Sequence, residues 1–276
     1  MITKALKFLT SSSIFLAFNG ALVVVFADLL YGDQIPVELL LAAFLATFSV
    51  YGLNKVTDRR EDEINKPENK SRGTMYYLVP SIVAMLVSLA IGVTVGALAL
   101  LILALPLVIG FAYSFPITKS MPRLKEIVGV KSIVVALSWA ITGAFLPITL
   151  QSTAINKIIL VFIYIFAQIF VNTVIFDVLD MKGDFVSGVK TIPLAFGRKK
   201  TGKLLSVING SLIIWIVYCL ISGVFVSFIP AIAFGVLYGY AIIWCFFREN
   251  CQRFFAELIV DGEWLPVVCL VRVLLR

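Results

Sequence analysis

The stretch LLAAFLATFSVYGL at 40–53 runs without a break into NKVTDRREDEINKPENKSRG at 54–73. The first part carries no charge and reads as membrane-embedded. The second places Asp58, Glu61, Asp62 and Glu63 at its mouth, mixed with Arg and Lys. Carboxylates beside hydrocarbon are costly, so the junction asks both what the chain spans and what the acids hold.

Working outward, the same contrast fills the chain. Of 276 residues 61% are hydrophobic and 14% charged, against roughly 45–50% and about 25% in average globular chains. Mean hydropathy is +1.02. The apolar runs are unbroken for about 18–22 residues, the length of a membrane helix, whereas barrel strands would alternate. The expected class is an all-α polytopic membrane protein, with 1–276 forming a single transmembrane domain. The N-terminus reads as a first span behind Lys4 and Lys7 rather than a cleaved leader.

Apolar length gives nine candidate helices, at about 8–31, 36–55, 75–96, 98–115, 131–150, 157–177, 204–224, 227–247 and 255–274. Only Gly92 and Gly96 split the third from the fourth, and Asp261 and Glu263 interrupt the last. With Lys4 and Lys7 cytoplasmic, only Lys157, Arg272 and Arg276 of the 23 Lys and Arg fall on the far side. Cytoplasmic loops carry such an excess. The formal +7 is therefore a membrane-face property, and nucleic acid is not an expected partner.

There is no His, which removes imidazole bases and His-held metals. Cys219, Cys245, Cys251 and Cys269 form no Cys-x-x-Cys pair and read as small apolar residues. Chemistry is left to carboxylates, amines, hydroxyls or a hard cation.

The acids fall into two sets. Asn54, Asp58 and Asp62 are spaced i, i+4, i+8, so a continued helix would put them on one stripe. Asp177, Asp180 and Asp184 are spaced i, i+3, i+7, again one stripe, and Asn172 precedes them by about a turn and a half. Each set ends an apolar span on the cytoplasmic side. Stacked like charges repel, and a cation between them relieves this. Carboxylate and amide oxygens suit Mg²⁺ shared with substrate phosphate. Lys119, Lys125, Lys190, Arg72 and Arg198 lie on the same side and can hold phosphate charge.

These residues resemble the motifs of the UbiA family of intramembrane prenyltransferases. NKVTDRRED resembles its N-x-x-x-D-x-x-x-D signature. DVLDMKGDFVSGVKTIPLAFG, at 177–197, resembles its second motif, D-x-x-D-x-x-x-D followed by a Gly-x-Lys-Thr-x-Pro stretch. INKPENKSRG at 64–73 resembles the continuation of motif one, and AYSFPITK at 112–119 the family's Tyr-Ser-x-Pro segment with its following Lys.

The resemblance implies nine transmembrane helices around a central cavity, UbiA-like. It implies a polyprenyl diphosphate donor bound through Mg²⁺ by Asp58, Asp62, Asp177 and Asp180, with Asn54 and Asp184. Lys119, Lys190 and Arg72 are expected to contact the diphosphate. Lys70 or Arg72 stands where the family often has Arg-Pro. Asn19 and Asn172 complete the expected substrate contacts, although span one lacks the family's Arg. Of the aromatics near the cytoplasmic ends (Tyr51, Tyr113, Phe115, Trp139 and Phe176), Tyr113 is favoured to stabilise cationic carbon because it lies in a matching segment. Asp184 or Glu61 can take the acceptor proton.

The expected reaction is Mg²⁺-dependent transfer of a polyprenyl group, geranylgeranyl, to a lipophilic acceptor, an aromatic ring of a quinone-type precursor, on the cytoplasmic side. The alternatives are a geranylgeranylglyceryl phosphate acceptor in ether-lipid synthesis and a non-enzymatic lipid-binding protein. A transporter would carry its ionisable residues near the midplane, where this sequence has almost none.

Overall fold

The structure, a computed structural model, describes residues 12–32, 34–59, 64–65, 73–114, 127–248 and 253–275. Among the described residues there is no strand. The main helices are α1 (Ile14–Tyr31), α2 (Val37–Thr57), α3 (Thr74–Val95), α4 (Ala97–Ser114), α5 (Val130–Phe145) and α6 (Ile155–Val186). They continue with a short α7 (Ile192–Phe196), α8 (Arg198–Ser222), α9 (Ile229–Arg248), α10 (Arg253–Ile259) and α11 (Trp264–Leu274). Six are long and apolar enough to cross a membrane, and α5 and part of α4 form shorter apolar helices. The expected nine passes are recovered only if α10 and α11 count as one broken pass. The acids that interrupt the apolar pattern are the cause: Asp261–Glu263 forms a 3₁₀ turn between the two halves.

Glycine and proline set the breaks. Gly32 ends α1 at φ 90°, its N–H donating to the Asp28 carbonyl at 3.0 Å. Only glycine takes that conformation cheaply. The buried Asp28 carboxylate accepts the Ile35 N–H at 2.9 Å, tying α1 to α2. Gly96, at φ 143°, separates α3 from α4. Pro106 lies inside α4. Pro147 sits in the turn that stops α5, and Pro230 in the first turn of α9, where a missing N–H breaks no helical bond.

The helices form a closed ring. Each of α1 to α6 packs on the next, α6 packs on α8, α8 on α9, α9 on α11, and α11 returns to α1. The most enclosed wall is α6, with Val161, Ile165, Val174 and Ile175 fully buried. Its 32 residues span about 48 Å, more than the roughly 30 Å hydrocarbon core, so its acidic end extends past the apolar slab. The outer faces present large apolar side chains, Ile221 at 82% exposure and Ile214 at 73% among them, as lipid-facing surfaces do. The chain is an integral membrane protein.

Small residues let the helices approach. A Cβ on Gly143 of α5 would collide with Val23 of α1 and with Ile165 of α6. Gly235 and Gly239 of α9 lie as closely against the Tyr164 hydroxyl and Asn209. Overpacking a tight core typically costs about 1–3 kcal/mol. Gly143→Val is therefore expected to lower the midpoint of thermal unfolding in detergent. An unchanged midpoint would show that this packing relaxes freely.

Candidate active site

Polar residues that are far apart in sequence meet at one end of the ring, around a cavity of about 210 Å³. Asn54 and Lys55 reach it from the last turns of α2, with Asp58 just beyond. Lys131 reaches it from the first turn of α5. Asn172, Asp177 and Asp180 line it from α6, and Glu257, Asp261 and Trp264 from the broken last pass. Asp58 of the first motif thus shares one chamber with Asp177 and Asp180 of the second.

The two motifs are built differently. The helix α2 stops at Thr57 rather than running on through the acids. Asp58 still donates its N–H to the Asn54 carbonyl at 2.8 Å, so these two remain stacked. On α6 the helix does continue, and Asp177, Asp180 and Asp184 all lie on it. They do not act alike. Asp177 and Asp180 line the cavity, whereas Asp184 is buried beside it.

Lys131 joins the acids. Its Nζ lies 3.0 Å from Asp177 Oδ1 and 3.2 Å from Asp184 Oδ2. The Ser132 hydroxyl donates to Asp177 Oδ2 at 2.6 Å. Both residues belong to the start of α5, whose positive dipole end favours the carboxylate. The carboxylate set therefore already holds one cation, an ammonium. Among the described residues no three acids close into a metal cage. Hard oxygen donors on an open wall fit a cation that completes its shell with water and phosphate.

One contact pins the first loop to the second motif. The Gly183 N–H donates to Asn65 Oδ1 at 3.0 Å, and a Cβ on Gly183 would strike the Asn65 side chain. Gly183→Ala is expected to push Asn65 away and lower turnover while the bundle stays folded. Unchanged turnover would show that the contact does not position the loop.

Two expected residues, Asn19 and Lys190, do not line this chamber. Asn19 is buried, with its amide turned back onto the Phe15 carbonyl of its own helix at 2.8 Å. Lys190 is exposed beyond the turn at Gly188, whose φ is 74°. Asp62, Lys70, Arg72 and Lys119 lie outside the described residues, as do Glu61, Phe115 and the side chain of Tyr113. Of the expected aromatics, Tyr51, Trp139 and Phe176 line the cavity, and the Trp139 N–H donates to the Tyr51 hydroxyl at 3.0 Å.

Lys131 carries no sequence signal beyond being one loop cation among many, Asp261 only that of a break in an apolar run, and Glu257 none. Next to the polar chamber lies an apolar groove of about 330 Å³ between α2, α3 and α4. Asn54 borders both, and Gly110 of α4 lines the groove.

Known structures share this architecture. A UbiA homologue from Archaeoglobus fulgidus bound to GPP and Mg²⁺ superposes with a TM-score of 0.71 at 19% identity, over 96% of this chain and 97% of that one. The apo structure of a UbiA homologue from Aeropyrum pernix K1 gives 0.68 at 13% identity, over 94% and 97%. A digeranylgeranylglyceryl phosphate synthase structure gives 0.62 at 15%, over 99% and 98%. No curated protein sequence matches the chain. The model of the UbiA prenyltransferase family matches residues 8–260. With that match spanning nearly its whole length, and the ring and twin acidic motifs in place, the chain belongs to the UbiA prenyltransferase family.

Proposed function

We propose that this chain transfers a polyprenyl group, geranylgeranyl, from its diphosphate to a lipophilic acceptor, an aromatic ring of a quinone-type precursor. We place the chamber on the cytoplasmic side, where the Lys and Arg bias puts it, and assign residues 1–276 to one domain. The observation that carries the reading is the convergence of Asn54, Asp58, Asp177 and Asp180 on one chamber beside Lys131. The homologue from Archaeoglobus fulgidus binds GPP with Mg²⁺ in one structure and DMAPP with Mg²⁺ in another.

Asn54, Asp58, Asp177 and Asp180 would hold Mg²⁺, with Asp62 and Asp184 as further oxygen donors. When bound, the ion supplies Lewis-acid stabilisation of the charge gathering on the departing diphosphate. Lys131 and Lys55 add ammonium donors from the chamber wall, with Lys119, Arg72, Lys70 and Lys190 as further contacts on the same side. The Tyr51, Trp139 and Phe176 rings give the cationic allylic carbon π faces, with Tyr113 beside them. Their apolar bulk also keeps water from that carbon.

The groove between α2 and α4 is the proposed seat of the prenyl chain. Gly110→Phe would fill it. The variant is expected to lose at least about 10-fold in kcat/KM for geranylgeranyl diphosphate, while geranyl diphosphate stays within a few-fold. Equal losses for both chain lengths would place the chain elsewhere.

The direct test is purified protein incubated with geranylgeranyl diphosphate and a quinone-type acceptor. Diphosphate release and a prenylated product are expected with Mg²⁺ and not with EDTA. Absence of both, with every donor length, would overturn the enzymatic reading.

A further inference from the structure

The outer face of α8 changes character at its N-terminal end. Val207, Ile214 and Ile221 are exposed, and their spacing of seven puts them on one stripe. Lys200 lies seven residues before Val207 and Lys203 four before it, so both continue that stripe, and both are exposed. Lys199 is exposed on its flank. The opposite face, with Leu205, Leu212 and Trp215, is buried in the bundle. Arg198 belongs to that inner side, since its guanidinium donates to the Phe246 carbonyl of α9.

No carboxylate answers these ammoniums. Between Asp184 and Glu249 the sequence has no Asp or Glu, and Asp184 is held by Lys131. Among the described residues none of Lys199, Lys200 and Lys203 has an ion pair. At 1.5 Å per residue Lys203 and Lys200 stand about 6 and 10 Å beyond Val207. A headgroup layer is about 5–8 Å deep on each side of the hydrocarbon, and a Lys stem can lie along acyl chains with its ammonium among phosphates. Apolar side chains are bared at the same corner. Phe185 and Val186 in the last turn of α6 and Phe196 at the end of α7 are exposed, and α7 packs on both α6 and α8. Apolar side chains interleaved with cations suit the boundary between headgroups and acyl chains.

We infer that this corner of α6, α7 and α8 binds the headgroups of anionic phospholipids. The three ammoniums donate to phosphate oxygens, and Phe185 and Phe196 enter the acyl boundary beside them. A zwitterionic headgroup fits less well, because its own cation meets the lysines. A second copy of the chain does not fit either, since a two-fold contact sets the same lysines against each other. The inference goes beyond the transferase reading and uses no residue of the chamber.

The test titrates the full chain in detergent with phosphatidylglycerol or phosphatidylcholine of matched acyl chains, and reads bound lipid by native mass spectrometry. The wild type is expected to bind phosphatidylglycerol at least about 10-fold tighter, since each Lys near an anionic surface adds about 5-fold. Lys199→Gln, Lys200→Gln, Lys203→Gln together are expected to bring that ratio close to one, and the three Lys→Arg changes to keep it. Equal wild-type affinities, a ratio unchanged in the folded Gln variant, or a ratio lost in the Arg variant would each overturn the proposal. Displacement of bound phosphatidylglycerol by equimolar geranylgeranyl diphosphate would also overturn it, by marking the corner as a donor site. Should the Gln triple fail to fold, Lys200→Gln alone decides: a ratio about 5-fold lower supports the proposal, and an unchanged one overturns it.

Discussion

Asp177→Asn is expected to lower Mg²⁺-dependent diphosphate release by at least about 100-fold, with the protein still folded. Asp177 holds two positions at once: it lines the chamber and receives both Lys131, at 3.0 Å, and Ser132, at 2.6 Å. The amide keeps the shape but loses the charge that a hard cation needs. Removing a single preorganised donor already costs on the order of 10²–10³ in rate, and a metal-bearing carboxylate should cost no less. The Asn side chain can still accept from Ser132, so the helix packing survives. Single-turnover assays with increasing Mg²⁺ distinguish weakened metal binding, which excess ion partly rescues, from a purely structural effect, which it does not. Activity within a few-fold of wild type would remove Asp177 from the proposed metal set.

Lys131→Met is expected to destabilise the protein most when Mg²⁺ is absent. The ammonium stands between Asp177 and Asp184, whose side chains are each 2% exposed. Taking one partner from a buried pair typically costs about 3–5 kcal/mol, and here it leaves two carboxylates facing each other. The Lys131 side chain is itself 24% exposed, so water softens the loss and the lower end applies. With roughly 2–4 °C per kcal/mol for a large domain, the unfolding midpoint in EDTA should fall by roughly 6–12 °C. Millimolar Mg²⁺ should recover much of the difference, because the ion replaces the missing positive charge. A deficit of equal size with and without Mg²⁺ would mean that Lys131 and the proposed ion do not share these acids.

The fold was legible because hydrocarbon imposes it. A run of apolar residues long enough to cross leaves a helix as the economical structure, and the placement of Lys and Arg counts the crossings. Where apolar runs join, local chemistry decides: Gly96 parts the third helix from the fourth, as the sequence suggests, and the Asp261–Glu263 interruption of the last span becomes a full break. The acidic motifs were legible from spacing, and Asn54, Asp58, Asp177 and Asp180 do share a chamber. What spacing could not give was distance through space. Lys131 is 46 positions before Asp177 in sequence and in contact with it, and only the packing of α5 on α6 reveals the pairing. Asn19 erred in the opposite way. An asparagine in a membrane span invites a ligand, yet this amide donates to the Phe15 carbonyl of its own helix and does not line the chamber. Asn172 shows the same chemistry with another outcome: it lines the chamber, and its Nδ2 donates to the Val260 carbonyl of the broken last pass at 3.3 Å.

The return of α11 onto α1 has a bearing on biogenesis. Trp264 is both a chamber residue and the start of the helix that shuts the circle. During synthesis the first eight passes can insert while one flank of the chamber still faces acyl chains. Asn172 and its polar neighbours gain shelter only when α11 has been made and docks beside α1. A nascent chain halted before that point would be an open horseshoe with a polar seam, a natural target for membrane quality control.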